Sequence, residues 1–458
     1  MQPTIVLLVV GLTPRLLGEH TPHLNALRER GGQRPLRTIT PAVTCSVQST
    51  FLTGKLPREH GIVANGWYQR DLGEIAFWKQ SNHLVQAPKI WDVARQRDPR
   101  FSAAKLFWWY NMYSSADWSV TPRPMYPADG RKIPDVYTYP AELRGELNAK
   151  LGTFPLFRFW GPLADLSSSR WITDSALTLV ERKRPTLSLV YLPHLDYCLQ
   201  RLGPNDPAVL PEVVAVDALC GELIRLADAH AMSTVVLSEY GITEVSGAIA
   251  LNRVLRENGY LCVREELGLE QLDPGASRAF AVVDHQLAHV YVRDPSDIAG
   301  VRRLLESVEG VERIWDRQEQ AAIGLDHERS GELVLTSRAD RWFSYYFWLD
   351  DRRAPDYART VDIHRKPGYD PAELAFDPAL PFPKLRAGRR VLARKLGMRN
   401  LLDVIGLDPS VVRGSHGRPT DDANDGPLFI TSEGDLLPPG AVEATGVQDL
   451  LLRHVFER

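Results

Sequence analysis

The segment TPAVTCSVQSTFLTGKLPREHGIVANGWY, residues 40–68, sets Thr44 at the head of a helix-compatible run. Thr53-Gly54, Pro57, His60-Gly61-Ile62 and Asn65 then follow in order. A hydroxyl opening a helix lies where free N–H groups and the positive end of the helix dipole gather. That place favours an anionic phosphate and an attacking alkoxide, although threonine is also an ordinary N-cap. Other stretches hold groups able to bind an ion or move a proton: His194, Asp196 and Gln200 in PHLDYCLQRLGP, Glu239 and Tyr240 in SEYG, and His416 in GSHGRP. Further donors stand in VVDHQLAH (Asp284, His285) and GLDHERSGE (Asp326, His327). In DIHRKPGYD, His364 is flanked by Asp362, Arg365 and Lys366, a mixture that suits a phosphate. Carboxylate, imidazole and carbonyl donors together suit a divalent ion such as zinc or manganese.

These residues need a frame that gathers them. The runs TIVLLVV, TLSLVYL and STVVL are continuously apolar, bounded by turn residues and interleaved with helical patterns such as EVVAVDALCGELIRLADAH. That pattern predicts an α/β fold, a doubly wound, mostly parallel sheet with helices on both faces. In such sheets ligands sit beyond the carboxyl ends of the strands, which puts Val10, Thr44, Asn65, His194, Asp196, Gln200, Glu239, Tyr240 and His416 on one rim. Residues 1–97 and 166–458 read as this core. Residues 98–165, crowded with aromatics, prolines and turn residues, read as an inserted lid. Residues 265–400 read as an irregular part of the core or a small subdomain. Within the lid, FWWYNMY (107–113) reads mostly as apolar packing. The alternative is a stacking platform with Arg123, Arg131 and Lys132 beside it.

The 458 residues carry a net charge of −3, which creates no field to gather nucleic acid or an anionic membrane. The basic run RAGRRVLARK (387–396) reads as a solvated helix face. Four cysteines without metal-ligand spacing fit a reducing compartment. The opening run TIVLLVVGL is too short to span a bilayer and has no basic residue before it, so it reads as a buried first strand. The expectation is a cytoplasmic protein with a small-molecule partner and neither nucleic acid nor membrane.

The order of Thr44, Thr53-Gly54, Pro57, His60-Gly61-Ile62 and Asn65 resembles the alkaline phosphatase superfamily. Within it the chain is most similar to the nucleotide pyrophosphatase/phosphodiesterase and phosphonoacetate hydrolase branches. The resemblance covers residues 4–65, 167–262 and the surroundings of 416. It implies an alkaline phosphatase-like fold, Thr44 as the nucleophile on phosphorus and Asn65 as a ligand to a phosphate oxygen. It also implies two metal sites, built from an Asp before the first Gly, an Asp-x-x-x-His pair, an adjacent Asp-His and a distal His. Here those positions hold Val10, Asp196 with Gln200, Glu239-Tyr240, and His416. The implied site is therefore reduced to one zinc or manganese ion on Asp196, Glu239 and His416, with Gln200 and His364 as extra donors. Tyr240 would replace the missing histidine as a hydrogen-bond donor to the substrate, and Lys366 would contact its phosphate. The expected activity is phosphoester hydrolysis. The alternatives are a non-catalytic anion-binding protein on the same fold and a phosphotransferase or mutase.

Overall fold

Strands that read as uninterrupted apolar runs must be buried on both faces, and three of them form the centre of a nine-stranded sheet. Every residue of Thr4–Val9, Leu187–Leu192 and Ser233–Leu237 is buried. The structure, a computed structural model, describes residues 1–458 apart from the side chains of 394 and 395. The chain divides into two units, one of residues 1–62, 80–242 and 419–458, the other of residues 63–79 and 243–418.

The first unit holds the large sheet. Its strand order is Val442–Glu443, Gly32–Arg37, Leu428–Thr431, Ser233–Leu237, Thr4–Val9, Leu187–Leu192, Ala103–Leu106, Trp118–Pro122, Val136–Tyr139. The five strands from Ser233–Leu237 to Trp118–Pro122 run parallel. Leu428–Thr431 and Val136–Tyr139 run antiparallel to their neighbours. The register pairs Val9 with Leu192 and Leu8 with Leu237, so the segments that follow these strands leave the sheet at one rim. The α/β fold with a mostly parallel sheet is the one the apolar runs predict.

Residues 98–165 are a correction to the expected lid. They supply Ala103–Leu106, Trp118–Pro122 and Val136–Tyr139, three strands of the central sheet. These strands are only four or five residues long and carry buried polar side chains (Lys105, Ser119, Thr121), which hides their period. Lys105 is tolerated inside because its Nζ donates to the carbonyls of Trp109 and Tyr110, at 2.6 and 3.0 Å, while burial presses its pKa well below the usual lysine value. In the 107–113 run, Phe107, Trp108 and Tyr110 are buried and Tyr113 is exposed, so apolar packing accounts for most of the aromatics.

The second unit is built on a four-stranded antiparallel sheet in the order Ala279–Asp284, Leu287–Val292, Leu333–Ser337, Val311–Trp315. The 265–400 stretch thus contains a regular sheet. The basic run lies on the helix Pro383–Lys395, and its side chains at 394 and 395 lie outside the described residues. Among the described residues no helix is long and apolar enough to cross a membrane.

Candidate active site

In the first unit, Val43 is the N-cap of the helix Thr44–Thr53, which places Thr44 at its first turn. Gly54 ends this helix in a left-handed conformation with φ of 66°. All ten residues of the helix are buried. The Thr44 Oγ1 lies 3.0 Å from the hydroxyl of Tyr240, which follows the Ser233–Leu237 strand. Gly241 is required after Tyr240, because a Cβ there would stand 1.6 Å from the Asp425 carbonyl oxygen.

Tyr240 donates its hydroxyl proton to Asp196 Oδ1 at 3.3 Å, and Gln200 Nε2 donates to Asp196 Oδ2 at 2.8 Å. Asp196 and Gln200 stand four apart on the helix His194–Leu202, the spacing that stacks side chains on one helix face. The result is a chain of hydrogen bonds, Thr44 to Tyr240 to Asp196, braced by Gln200. Because Tyr240 gives its one proton to Asp196, its oxygen is left to accept the Thr44 proton.

Glu239 lies beside this chain and accepts from Gln48 Nε2 at 2.6 Å, while Gln48 Oε1 accepts from the Trp109 N–H at 2.7 Å. Its second oxygen, Oε2, is buried and has no hydrogen-bond partner among the described residues. Burial raises the Asp196 pKa to about 7 against the opposing bonds from Gln200 and Tyr240. Burial also holds the Glu239 carboxyl well above the ordinary range, with Asp196 pushing the same way against Gln48. Gln48 was not singled out from sequence. Its signal is its place four residues after Thr44, on the same turn-to-turn face of one helix.

The second unit holds a different cluster. The Asn65 backbone N–H donates to Asp284 Oδ2 at 2.7 Å and its side-chain Nδ2 donates to Oδ1 at 3.1 Å. His285 Nδ1 lies 2.7 Å from the same Oδ1. His285 occupies the tight turn between Ala279–Asp284 and Leu287–Val292, with φ of 60°. Its ring is packed between Tyr369 and His416, with centroid distances of 3.6 and 3.7 Å. Burial lifts Asp284 to about 6, against the Asn65 bonds and His416, and presses His285 well below its usual value.

The remaining candidates are held by local partners. His364 Nδ1 lies 3.4 Å from the Phe77 carbonyl. Lys366 is 2% exposed and pairs with Asp370 and Glu373, each at 2.7 Å. Burial alone would depress its pKa, but the two carboxylates override it and hold the ammonium above its ordinary value. His194 Nε2 meets Glu212 at 2.5 Å, and His327 Nδ1 accepts from the Arg329 N–H at 3.1 Å.

A resident divalent ion needs at least three converging donors. Among the described residues no group of three or more His, Cys, Asp or Glu side chains is placed to hold one. Val10 has no ligating side-chain atom and is fully buried in the apolar core, Gln200 and Tyr240 stand where histidines are expected and bond Asp196, and one Glu239 oxygen accepts from Gln48. The donor set does not fit the expected zinc or manganese ion on Asp196, Glu239, Gln200, His364 and His416.

Residues 4–370 match the family of type I phosphodiesterases / nucleotide pyrophosphatases. The chain belongs to this family. A member-like relative, an uncharacterized pyrophosphatase/phosphodiesterase of Schizosaccharomyces pombe, is 27% identical over 238 residues, which are 49% of this chain and 41% of that protein. The match therefore spans less than half of the relative's length. Among solved structures, phosphonoacetate hydrolase from Sinorhizobium meliloti 1021, in complex with phosphonoformate, is similar with a TM-score of 0.64 at 17% identity. That match covers 99% of this chain and 96% of the hydrolase. An inactive variant of murine ectonucleotide pyrophosphatase/phosphodiesterase 5 in complex with AMP is similar with a TM-score of 0.60 at 14% identity, covering 99% and 95%. At these identities the likeness concerns the fold, which is that of the alkaline phosphatase superfamily.

Proposed function

We propose that the chain is a phosphoester hydrolase in which Thr44 attacks phosphorus and Tyr240 and Asp196 take the place of a metal-assisted activation. The observation that carries this reading is the 3.0 Å contact between Thr44 Oγ1 and Tyr240 Oη, continued to Asp196. As the Thr44 O–P bond forms and the bond to the leaving group breaks, the threonine proton passes to Tyr240, whose own proton passes to Asp196. Water then hydrolyses the phospho-threonine. A threonine hydroxyl without a metal is a weak nucleophile, so the reading favours substrates with good leaving groups. The family points to small phosphodiesters, including nucleotides of the kind bound by the murine neighbour. The assignment of a phosphate oxygen to Asn65 rests on its order after Thr44 in the sequence.

The test is turnover of bis(p-nitrophenyl) phosphate by the Thr44→Ala protein. Loss of at least about a thousandfold in rate is expected, on the scale seen when a nucleophile that works with its base is removed. Turnover at the parent rate overturns the reading.

A second reading has its own observation. Val10, Gln200 and Tyr240 at expected ligand positions, with Glu239 wholly buried, favour a protein that binds an anion without turning it over. Under it, calorimetric titration detects binding of AMP to the parent protein while no product accumulates.

A further inference from the structure

The helix Pro383–Lys395 presents two unlike faces. On one, Ala387 packs against a cluster of Ala372, Val404 and Ile405, and Arg386 and Arg390 both pair with Asp403. These contacts fix which side of the helix faces the protein. On the other, Leu385, Leu392 and Leu396 are 71%, 58% and 70% exposed. At about 3.6 residues per turn these three fall within a sector of roughly 40°. The Leu396 amide still bonds the Leu392 carbonyl, at 3.1 Å, so the stripe continues past the last helical residue. Phe382 before the helix, 78% exposed, and Met398 after it, 54% exposed, extend the apolar surface at both ends.

A single exposed leucine is unremarkable on a folded protein, but a run of large apolar side chains on one outward face marks a surface that meets something. The charge of the segment says what. Residues 383–402 contain seven Lys or Arg and neither Asp nor Glu, in a chain whose net charge is −3. Lys384, Arg389 and Arg399 are exposed, and Arg389, one turn after Leu385, borders the leucine stripe. An arginine in that place can lay its aliphatic stem along apolar surface while its guanidinium reaches outward, the arrangement of a side chain at a lipid headgroup boundary. Thirteen helical residues are too few to cross a bilayer. A basic helix with a large apolar face instead lies in the plane of the interface.

We propose that residues 382–399 dock this chain onto an anionic lipid surface, Leu385, Leu392 and Leu396 entering the acyl boundary and Lys384, Arg389 and Arg399 pairing with headgroups. Whole-chain charge conceals this, because acidic residues elsewhere offset a basic segment that a membrane would meet alone. The proposal stands apart from the catalytic reading, since none of these residues belongs to the Thr44 constellation.

The experiment is co-sedimentation of the full chain with vesicles of phosphatidylcholine alone and of phosphatidylcholine with about one third phosphatidylserine, a leaflet-like anionic charge. Binding is expected to the anionic vesicles and not the neutral ones, and to weaken as salt is raised. Arg389→Gln should lower the partition constant about fivefold. The Leu385→Ser/Leu392→Ser double variant should lower it at least about tenfold, because both side chains leave the acyl boundary. The altered side chains are exposed, so unchanged thermal unfolding of each variant is expected, and Arg389→Gln alone decides the matter if the double variant is unstable. Equal sedimentation with both vesicle types, no sedimentation with either, or variants that bind like the parent would overturn the proposal. Retention of the helix by an acidic protein without vesicle binding would overturn it as well.

Discussion

The two polar clusters of this molecule treat a buried carboxylate in opposite ways. In the first unit Asp196 is held by a side-chain amide and a hydroxyl, and the hydroxyl leads on to Thr44. In the second, Asp284 takes a backbone N–H, an amide and an imidazole, all from residues fixed by the fold around it. The first arrangement leaves a proton path open at one end. The second ends at the carboxylate, where an Asn65 backbone N–H, its side-chain amide and the His285 ring all meet, and the His285 ring is packed against Tyr369 and His416. Burial raises both acids, yet one is joined through Tyr240 to Thr44 and the other ties Asn65 to a hairpin turn.

The contrast can be broken at either cluster. Tyr240→Phe removes the middle of the proton path while keeping the ring, and phosphodiester turnover should fall about a hundredfold or more. Its stability should also fall, by about 1–2 kcal/mol, because buried Asp196 and Thr44 lose a partner, and a folded Tyr240→Phe enzyme as fast as the parent would show that the path is idle. Asp284→Ala should act chiefly on stability. It leaves two Asn65 donors buried without their acceptor and should cost about 2–3 kcal/mol in chemical denaturation.

The Asp196 prediction is a matter of pH. Its folded pKa of about 7 lies above the unfolded value near 4, so between these values the folded chain binds the extra proton. Stability should therefore fall as pH rises from about 4 to 7 and level off above, a contribution of up to about 4 kcal/mol that Asp196→Asn abolishes. Turnover should run the other way, rising through pH 7 as Asp196 becomes able to accept a proton. A flat profile would separate Asp196 from the chemistry. The smallest effect expected is that of metal removal. Because no three-ligand site stands among the described residues, chelation followed by metal analysis should leave turnover unchanged and find well under one zinc or manganese per chain.

Some of this is legible in the sequence. The helix head at Thr44, the Asp196-Gln200 pair and the strand runs follow from local spacing, because helices repeat near every fourth residue and doubly buried strands are apolar throughout. The three strands within 98–165 were not legible, since short strands with buried Lys105, Ser119 and Thr121 show no period. The exposed stripe at 385–396 was visible only as a basic run, because whether a helix face is covered depends on what packs against it.

By itself the sequence determined the parallel α/β core and the identity of every group at the strand ends, including the valine, glutamine and tyrosine at expected ligand positions. Which groups meet was decided by the tertiary structure alone. Thr44 and Tyr240 are 196 residues apart and Asn65 and Asp284 are 219 apart, so no periodicity links them. Thr44 and Tyr240 meet because the large sheet brings distant segments to one rim, Asn65 and Asp284 because Asp284 ends a strand of the antiparallel hairpin. A buried donor or acceptor without a partner is costly enough to select both pairings.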